Sequence, residues 1–575
     1  MSGRRSGRKR HRSAVVALGF GALIFASARA RAEDPAATPA GKDAPQEIFF
    51  DAIDLTVVNI EVYVTDKKGQ PVHGLTRDDF EIYEDGRRIP VSNFYAVAAG
   101  RVQALETLRP MDVAPSGPAA TLDEIEIPEQ QRLTLIVYVD NLFIQPFNRN
   151  RVLRQAVGFL RSVLHGGDRA MVVSFDRALH LRQPLTADHR LVESALLDLE
   201  EQTGWGVQAQ TERRDVIRRL DQVRDSFEAE GHVESYANAR FFEVRQTVKA
   251  LEEQVEALAG LPGRKAVLYV SDGFPMTTAE DLYYLLDLRY PDRTGGELAA
   301  ARFRARRLIR NLTFDANTNR VTFYTLQAKG LTSHGSLSAE SRSNDGSLIE
   351  IETVYDASHE ASLEMMARDT GGLAALGTNN IDGALERVAE DFANYYSLGY
   401  VPTHDVAGRY HRVEIKVGRK GLTVRHRDGY RDKPPKERLS EATLAALRFG
   451  LGDNALGLRI VAGQPHADDD GRYLVPIEVR IPIGALALLP REQVHQGKLR
   501  VSVAVKDDDG AVSPVTVTPL DLAIPDAEID TAREKNYVFA VELRMKRGIH
   551  RLAIGVHDDL AGETSFVGGA VDVGS

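Results

Sequence analysis

Two aspartates in this sequence each follow a run of apolar residues. Asp140 follows the run in LTLIVYVDNLFI at 133–144, and Asp272 follows the run in RKAVLYVSDGF at 264–274. Short apolar runs rich in Val, Leu and Ile are typical of parallel strands covered on both faces. In open α/β sheets, ligands bind at the edge where such strands end. The two carboxylates are therefore candidates for a cation site or for general-base chemistry.

Alternating strand and helix patterns surround these aspartates and must position them. After the first strand comes RVLRQAVGFLRSVL at 151–164, whose apolar residues share one helical face. Further strands are predicted in GGDRAMVVSF at 166–175 and VTFYTLQ at 321–327, with an edge near 373–376. This order implies right-handed crossovers and a doubly wound, parallel α/β sheet.

Before the strand that ends at Asp272, the chain has more helical sequence than the sheet requires. Apolar residues at 4, 3, 4 spacing over about 206–232 predict an inserted helix. We expect it to pack as an antiparallel hairpin on the following helix or to enlarge the helical layer. Trp205, the only tryptophan, begins this insertion and is predicted to be buried.

The order of elements, with an aspartate closing the first strand and Ser-Asp-Gly at 271–273 closing a later one, resembles the von Willebrand factor A domain. The resemblance implies a first loop of the form D-x-S-x-S. In that family, the loop's aspartate and two hydroxyls bind a divalent cation. A threonine from a second loop and the aspartate of the later loop complete the site.

Carried onto this sequence, the resemblance implies Asp140, Asp272 and Thr203 as metal ligands. Leu142 and Ile144, however, stand where the two serines should be. Apolar side chains offer no oxygen to Mg²⁺ or Ca²⁺, so we expect at most a weakly bound divalent cation and no other cofactor. The alternative is that both aspartates are structural and accept backbone hydrogen bonds at helix N-termini or turns.

A second resemblance lies on either side of this region. Residues 64–86 read VTDKKGQPVHGLTRDDFEIYEDG, and 395–430 read YYSLGYVPTHDVAGRYHRVEIKVGRKGLTVRHRDGY. Both segments resemble the VWFA-related domain family best known from acidobacterial genomes, and the resemblance covers about 55–430. Each segment supplies strands too few to be stable alone, so we predict that they are spatial neighbours.

Two further groups of residues suggest metal binding. The first group is Asp66, Asp78, Asp79, Glu84 and Asp85. They lack the spacing of an EF-hand and are interpreted as solvated turn carboxylates. The second group is His404, His411 and His426. They lie on separate predicted strands without a zinc-binding spacing, and we interpret them as surface histidines.

Composition limits the class of protein. The first 32 residues carry a basic segment, a short apolar segment and an Ala-Arg-Ala site, as in a secretory signal peptide. An uncleaved membrane anchor is the alternative. Loss of these residues, which include eight Lys or Arg and no acid, changes the net charge from −10 to −18. This charge argues against nucleic-acid binding. The sequence contains no cysteine, which excludes disulfides and thiol catalysis.

These patterns predict the following organisation. The predicted segments are a signal peptide (1–32), a flexible leader (33–47), an N-terminal β module (48–98), a linker (99–130), a von Willebrand factor A-like domain (131–396), a closing β hairpin (397–430), a second linker (431–440) and a C-terminal β-sandwich (441–575). We see no motif for chemistry in the last of these.

No catalytic motif is present in the sequence. We therefore expect an exported, non-enzymatic adhesion or scaffold protein, periplasmic or extracellular, with no membrane span after signal cleavage. Its A-like edge would bind protein partners of unknown identity. The alternatives are an envelope hydrolase that uses Asp140 or Asp272 as general base, and a purely structural envelope protein.

Overall fold

A computed structural model describes residues 57–107, 132–292, 295–331, 346–450, 452–468 and 470–574. These residues form two compact units, one within Asp51–Leu451 and one within Gly452–Ser575. The predicted signal peptide and leader, and most of the predicted 99–130 linker, lie outside the described residues. Within the described ranges, no helix is both long enough and apolar enough to cross a membrane.

Strands of the first unit come in chain order as follows. They are β1 (Val58–Thr65), β2 (Phe80–Glu84), β3 (Arg87–Ile89), β4 (Asn93–Ala98), β5 (Arg101–Thr107), β6 (Leu133–Asp140), β7 (Arg169–Phe175), β8 (Leu179–Thr186), β9 (Arg264–Ser271), β10 (Val321–Gln327), β11 (Ala374–Ala375), β12 (Tyr395–Tyr400), β13 (Tyr410–Val417), β14 (Thr423–Arg425) and β15 (Gly429–Arg431).

Helices of the same unit lie between and after these strands. They are α1 (Pro146–Val163), α2 (His189–Asp198), α3 (Gly206–Leu220), α4 (Ser226–Ala257), α5 (Glu280–Arg289), α6 (Gly296–Ala301), α7 (Arg306–Thr318), α8 (Gly346–Asp369), α9 (Ile381–Ala393) and α10 (Pro435–Phe449).

The central sheet has six strands in the order β11-β10-β9-β6-β7-β8. All neighbouring pairs are parallel except β7 and β8, which are antiparallel. The sequence therefore predicts the parallel core correctly, but the sheet as a whole is mixed. Edge strand β8 was not predicted, because LHLRQPLT has no apolar run and none of its residues is buried.

Helices cover both faces of this sheet. Alternate residues of β6 point into two different apolar clusters, as the two-residue period of a strand requires. One cluster joins β6 to α1, α2 and α9. The other joins it to α4, α7 and α8. Burial on both faces explains why the strands read as continuous apolar runs.

The N-terminal strands and the 397–430 hairpin form two small antiparallel sheets. Their orders are β14-β1-β12-β4-β5 and β15-β13-β2-β3. Ile60 of β1 lies opposite Leu398 of β12, and Ile82 of β2 lies opposite Ile415 of β13. The two sheets share one apolar cluster, which confirms the prediction that these segments are neighbours.

Two predicted boundaries of this β module are wrong. The linker expected from residue 99 begins with strand β5, which pairs with β4 through a turn at Ala99 and Gly100, both with positive φ. The linker expected at 431–440 is instead largely helix α10. Pro435 is the first residue of α10, where proline's fixed φ and missing N–H are tolerated.

The predicted insertion is present, but its end at 232 is not a break. Helix α3 is followed by α4, a single helix of 32 residues whose N-terminal part packs with α3, α5 and α6 on a separate apolar cluster. Asp225 caps α4 by accepting a hydrogen bond from the Glu228 N–H. The chain therefore enlarges the helical layer and extends the ordinary crossover helix at its start.

The second unit is mainly antiparallel β. Its elements are β16 (Arg459–Ala462), β17 (His466–Ala467), β18 (Tyr473–Pro482), β19 (Leu489–Arg491), β20 (Val494–Lys506), β21 (Thr516–Pro525), α11 (Ile529–Arg533), β22 (Asn536–Met545), β23 (Gly548–Asp558) and β24 (Glu563–Val573). Sheets β16-β18-β17 with β22, and β19-β20-β23-β24 with β21, enclose one apolar cluster. The sequence places the start of this unit at 441, about one helix too early, because α10 belongs to the first unit.

Candidate functional site

Asp140 is the last residue of β6 and is completely buried. Its Oδ1 accepts hydrogen bonds from the backbone N–H groups of Leu142 (3.1 Å) and Phe143 (3.2 Å). Its Oδ2 accepts from the hydroxyls of Tyr269 (2.5 Å) and Ser271 (3.1 Å) on the neighbouring strand. Burial raises the pKa of Asp140 to about 6, although these hydrogen bonds oppose the rise. The carboxylate therefore braces the loop that follows β6 and ties it to β9.

Leu142 and Ile144 are buried on opposite sides of the sheet. Leu142 lies in the cluster with α4 and α8, and Ile144 lies in the cluster with α1 and α9. Neither presents an oxygen, and both Asp140 oxygens already accept two hydrogen bonds each. These residues do not fit the cation site that the sequence resemblance implies, because Mg²⁺ and Ca²⁺ require six or more oxygen ligands.

Asp272 follows β9 and bonds differently. Its Oδ2 accepts from the Gln145 N–H (3.2 Å) and from Nδ2 of Asn148 (3.3 Å). Its Oδ1 is buried and has no hydrogen-bond partner among the described residues. Burial raises the pKa of Asp272 to about 6, although the hydrogen bonds from Gln145 and Asn148 and the nearby charge of Lys329 oppose the rise. Asp272 thus retains an unused acceptor oxygen, which Asp140 does not.

Thr203 is exposed, in the loop between α2 and α3. A buried arginine, which the sequence analysis missed, holds this loop. Arg149 donates to the carbonyl oxygens of Glu200 (3.0 Å) and Gln202 (2.8 Å) and to Oδ1 of Asn141 (2.9 Å). Burial lowers the pKa of its guanidinium. Local sequence did not single out Arg149, because the first half of α1 also contains Arg151 and Arg154.

We define the rim as residues 140–147, 202–207 and 271–275, which comprise the loops after β6 and β9, the loop before α3, and the first residues of α1 and α3. Two of these loops pack closely, since the Gly206 N–H donates to the Ile144 carbonyl (3.2 Å). A Cβ at Gly206 would lie 2.7 Å from that carbonyl group, so only glycine fits. Phe147, the second residue of α1, and Val207, the second residue of α3, are 79% and 52% exposed. The rim therefore carries apolar side chains that face solvent.

Trp205 belongs to the rim and is partly buried, so the prediction that it is buried is confirmed only in part. The Arg177 guanidinium lies over its ring at 4.5 Å from the centroid. Its backbone N–H donates to the Asn141 carbonyl (2.8 Å). The indole thus packs at the hinge between the rim and α3 with one face covered by a cation.

A small cavity of about 30 Å³ adjoins Asp272, and Gln145, Lys329 and His359 line it. This volume is sufficient for about one water molecule. Burial lowers the pKa of His359 to about 4, so its ring is neutral at pH 7. The cavity brings a carboxylate and a neutral imidazole to one place without room for a substrate.

The acidic residues of the β module divide into two groups. Asp66 and Asp79 hold turns, since their carboxylates accept backbone N–H groups at Lys68 and Thr76 respectively, as predicted. Glu84, by contrast, is buried at the end of β2, so its interpretation as a solvated turn carboxylate is wrong.

The prediction of surface histidines is wrong for His411, which is buried. Its ring stacks on His404, with centroids 3.8 Å apart. His426 is partly buried, and its Nε2 faces the backbone N–H of Ile415 at 3.2 Å. The sheet pairing that brings these side chains together is not visible in their spacing along the chain.

No protein-family model and no curated protein sequence matches this chain. Among solved structures, a von Willebrand factor type A protein from Catenulispora acidiphila is 10% identical, with 77% of this chain and 66% of that chain covered and a TM-score of 0.21. A mutant of the PilB minor pilin from Streptococcus sanguinis is 11% identical, with 58% and 91% covered and a TM-score of 0.27. Three N-terminal domains of the type V pili tip protein Mfa5 from Porphyromonas gingivalis are 10% identical, with 77% and 70% covered and a TM-score of 0.23. At these values, the similarities do not define the family or function of this chain.

Proposed function

We propose that this chain is an exported adhesion or scaffold protein whose doubly wound, von Willebrand factor A-like domain binds a protein partner at the rim. The observation that carries the proposal is the pair of solvent-facing apolar side chains, Phe147 and Val207, on rim loops that pack against each other. Exposed apolar patches often mark protein-interaction sites, and aromatic side chains are frequent anchors within them.

Recognition at this rim would not depend on a tightly bound cation. Asp140 is committed to four hydrogen bonds and Leu142 is committed to the core. Asp272 has one oxygen without a hydrogen-bond partner in the described part of the chain, but the first loop offers it no pair of hydroxyls, since Leu142 and Ile144 stand there. Any divalent cation would bind weakly, and the partner would be held mainly by apolar contacts.

The alternative function, a hydrolase with Asp140 or Asp272 as general base, has one observation in its favour: burial raises the pKa of both groups to about 6. Asp140 is sealed from solvent, however, and the cavity at Asp272 has space for about one water. A general base must reach its substrate, so the adhesion or scaffold role is the better supported. The third alternative is a purely structural role in the envelope. It differs from the adhesion or scaffold role in predicting that the capture experiment below retains no partner.

The test is capture of partners from envelope extract by the immobilised chain from residue 33, with and without Mg²⁺ and Ca²⁺. The informative variant is Phe147→Ser with Val207→Ser, which removes apolar surface without touching the core. We expect one or more proteins that the wild type retains in EDTA and that the double variant loses.

A matched control is Phe227→Ser. Phe227 is 84% exposed and is the second residue of α4. It follows the C-terminal end of α3, whereas the rim lies at the N-terminal end of α3. A helix of the 15 residues of α3 spans about 22 Å, so this change leaves the rim intact. The rim is not the binding site if Phe227→Ser loses the partner as completely as the double variant does. The same conclusion follows if the double variant retains as much partner as the wild type.

A further inference from the structure

Three potential metal ligands from distant parts of the sequence converge in the β module. They are Glu84 at the end of β2, His404 in the loop after β12, and His411 in β13. One ligand atom from each lies within 4.8 Å of the other two. Glu84 and His411 are buried, and His404 is partly buried. This group lies outside the rim and plays no part in the function proposed above.

His411 is held as a metal-binding histidine is held. Its Nδ1 lies 2.9 Å from Oδ2 of Asp85, while its Nε2 is buried and has no hydrogen-bond partner among the described residues. A carboxylate on one ring nitrogen orients the imidazole and raises the basicity of the other nitrogen. Burying a ring nitrogen without a partner costs free energy, so an unassigned ligand for Nε2 is indicated.

The other two side chains also make polar contacts. His404 Nδ1 lies 3.1 Å from the Asp405 carbonyl oxygen, and its Nε2 lies 3.4 Å from the Tyr430 hydroxyl and 3.6 Å from Oε2 of Glu84. The second oxygen of Glu84, Oε1, accepts from the hydroxyls of Tyr400 (3.0 Å) and Tyr430 (2.6 Å). Glu84 and His411 therefore each use one polar atom to hold their position and present another to the centre of the group, whereas His404 Nε2 would have to exchange its long contact with Tyr430 for the ion.

The ligand atoms lie within 4.8 Å of one another, so they must move closer together to bind one ion. Ligand atoms at about 2.0–2.1 Å from a tetrahedral ion lie about 3.3 Å apart. The two imidazole rings are stacked, with 11° between their planes, so both cannot aim a lone pair at one ion without movement. Rotation of His404 satisfies this requirement, because its side chain is 28% exposed, whereas the His411 side chain is only 10% exposed.

One side of the group is open. His404, Tyr430 and Asp432 line a cavity of about 900 Å³, which provides a path for an ion. Asp432 is buried, its Oδ2 lies 3.8 Å from His411 Nε2, and its Oδ1 has no hydrogen-bond partner within the described part of the chain. A further carboxylate is thus available beside the three ligands.

We propose that Glu84, His404 and His411 bind one divalent transition-metal ion of the Zn²⁺ type, with Asp432 beside the position facing the cavity. Two imidazoles and a carboxylate favour such an ion over Mg²⁺ or Ca²⁺, which prefer oxygen ligands alone. The ion joins β2, β13 and the loop between β12 and β13, and it stabilises the packing of the N-terminal strands on the closing hairpin.

The experiment uses the mature full-length chain after treatment with EDTA and removal of the chelator. Zn²⁺ is titrated by calorimetry, and Co²⁺ is titrated by visible absorption, which reports the geometry of its ligands. We expect one saturable equivalent of Zn²⁺, a higher Tm with Zn²⁺ than with EDTA, and intense Co²⁺ bands that Zn²⁺ displaces.

Two variants and a control locate the site. His404→Gln removes a ligand from a partly exposed position, and we expect at least tenfold weaker Zn²⁺ binding. Asp85→Asn keeps a residue that tolerates the observed φ of 48° but removes the charge behind His411, and we expect about 10–100-fold weaker binding. His73→Gln, an exposed histidine of the same module, should bind Zn²⁺ as the wild type does.

Melting of each variant in EDTA shows whether it is folded. If His404→Gln does not fold, Asp85→Asn alone tests the site. The proposal is overturned if the wild type takes up no saturable Zn²⁺. It is equally overturned if both variants keep the wild-type affinity and Co²⁺ spectrum, because the bound ion would then be elsewhere.

Discussion

Asp140 and Asp272 end neighbouring strands, and burial raises the pKa of each to about 6, yet their environments differ. Asp140 accepts four hydrogen bonds, two of them from backbone N–H groups that have few other partners. Asp272 accepts two longer ones and has one oxygen without a partner among the described residues. The first is a structural brace, and the second is a buried charge that is incompletely compensated.

Replacement of Asp272 by Asn should therefore stabilise the protein at pH 7.5. Between about pH 4 and pH 6 the folded state holds the Asp272 proton more tightly than the unfolded chain does, since its pKa is raised from 3.8 to about 6. The free energy of unfolding thus falls as the pH rises through this window. Asp272→Asn removes that loss, which we expect to be about 1–3 kcal/mol. Denaturant unfolding at pH 4 and pH 7.5 measures it.

Asp140→Ala is the contrasting variant. It leaves the Leu142 and Phe143 N–H groups buried without an acceptor, and each such group costs about 1–3 kcal/mol. We expect destabilisation at both pH values. A pH profile that is the same for wild type and Asp272→Asn, or a stable Asp140→Ala protein, would show that we have assigned the two roles incorrectly.

Mg²⁺ should leave the melting temperature unchanged at millimolar concentration, because ligand stabilisation is negligible when the free ion stays below its Kd. Thermal melts with EDTA, Mg²⁺, Mn²⁺ and Ca²⁺ test this expectation. Thr203→Ala provides a mild variant, since Thr203 is exposed. A rise of several degrees with Mg²⁺ that Thr203→Ala or Asp140→Ala abolishes would restore a working cation site at the rim.

At the scale of elements, α10 has the greatest effect on how the chain is divided. The sequence RDKPPKERLS suggests a linker, but the helix beginning at Pro435 packs on the turn after α4. Gly260 in that turn permits the contact, since a Cβ there would lie 2.0 Å from the Glu441 carbonyl oxygen. Close backbone approach of this kind is a reason for glycine that local sequence does not reveal.

Gly260→Ala should therefore destabilise the first unit by more than about 2 kcal/mol, because either α10 or the turn must move. Gly231→Ala is the matched control. Gly231 lies within α4 and a Cβ there meets nothing within 4 Å, so alanine should stabilise the helix by about 0.5–1 kcal/mol. Chemical denaturation of the two variants should give changes of opposite sign. Equal and small changes would mean that α10 is not held at Gly260.

At the scale of the whole molecule, the chain comprises two compact units with separate cores. The second has two antiparallel sheets around a single apolar cluster that includes Val475, Val501 and Ile554. Its described residues contribute to no cluster of the first unit.

Residues 452–575 should therefore fold alone. We expect a fragment of this range to give a cooperative thermal transition and dispersed amide resonances, since a domain of this size with its own core is stable in isolation. Circular dichroism and NMR measure the outcome. An aggregated or non-cooperative fragment would show that the two units depend on each other.

Local patterns were sufficient for much of the organisation. Continuous apolar runs predicted the buried parallel strands, and helical spacing predicted α1 and the helix preceding β9. Leu142 and Ile144, which stand where the resemblance implies serines, predict an incomplete cation site, and this stays a prediction. These features depend on side chains a few residues apart, whose period reflects which faces are buried.

Only the tertiary structure decided which distant residues meet. Arg149 holds the loop near Thr203 because helix α1, which carries it, packs against the residues just before that loop. Glu84 and His411 are more than three hundred positions apart, and antiparallel pairing of β2 with β13 brings them together. Strand register and helix docking depend on free energies summed over many contacts between distant residues. Spacing along the chain does not contain this information. For that reason the sequence predicted that Glu84 and His411 are solvated, whereas the fold buries them together.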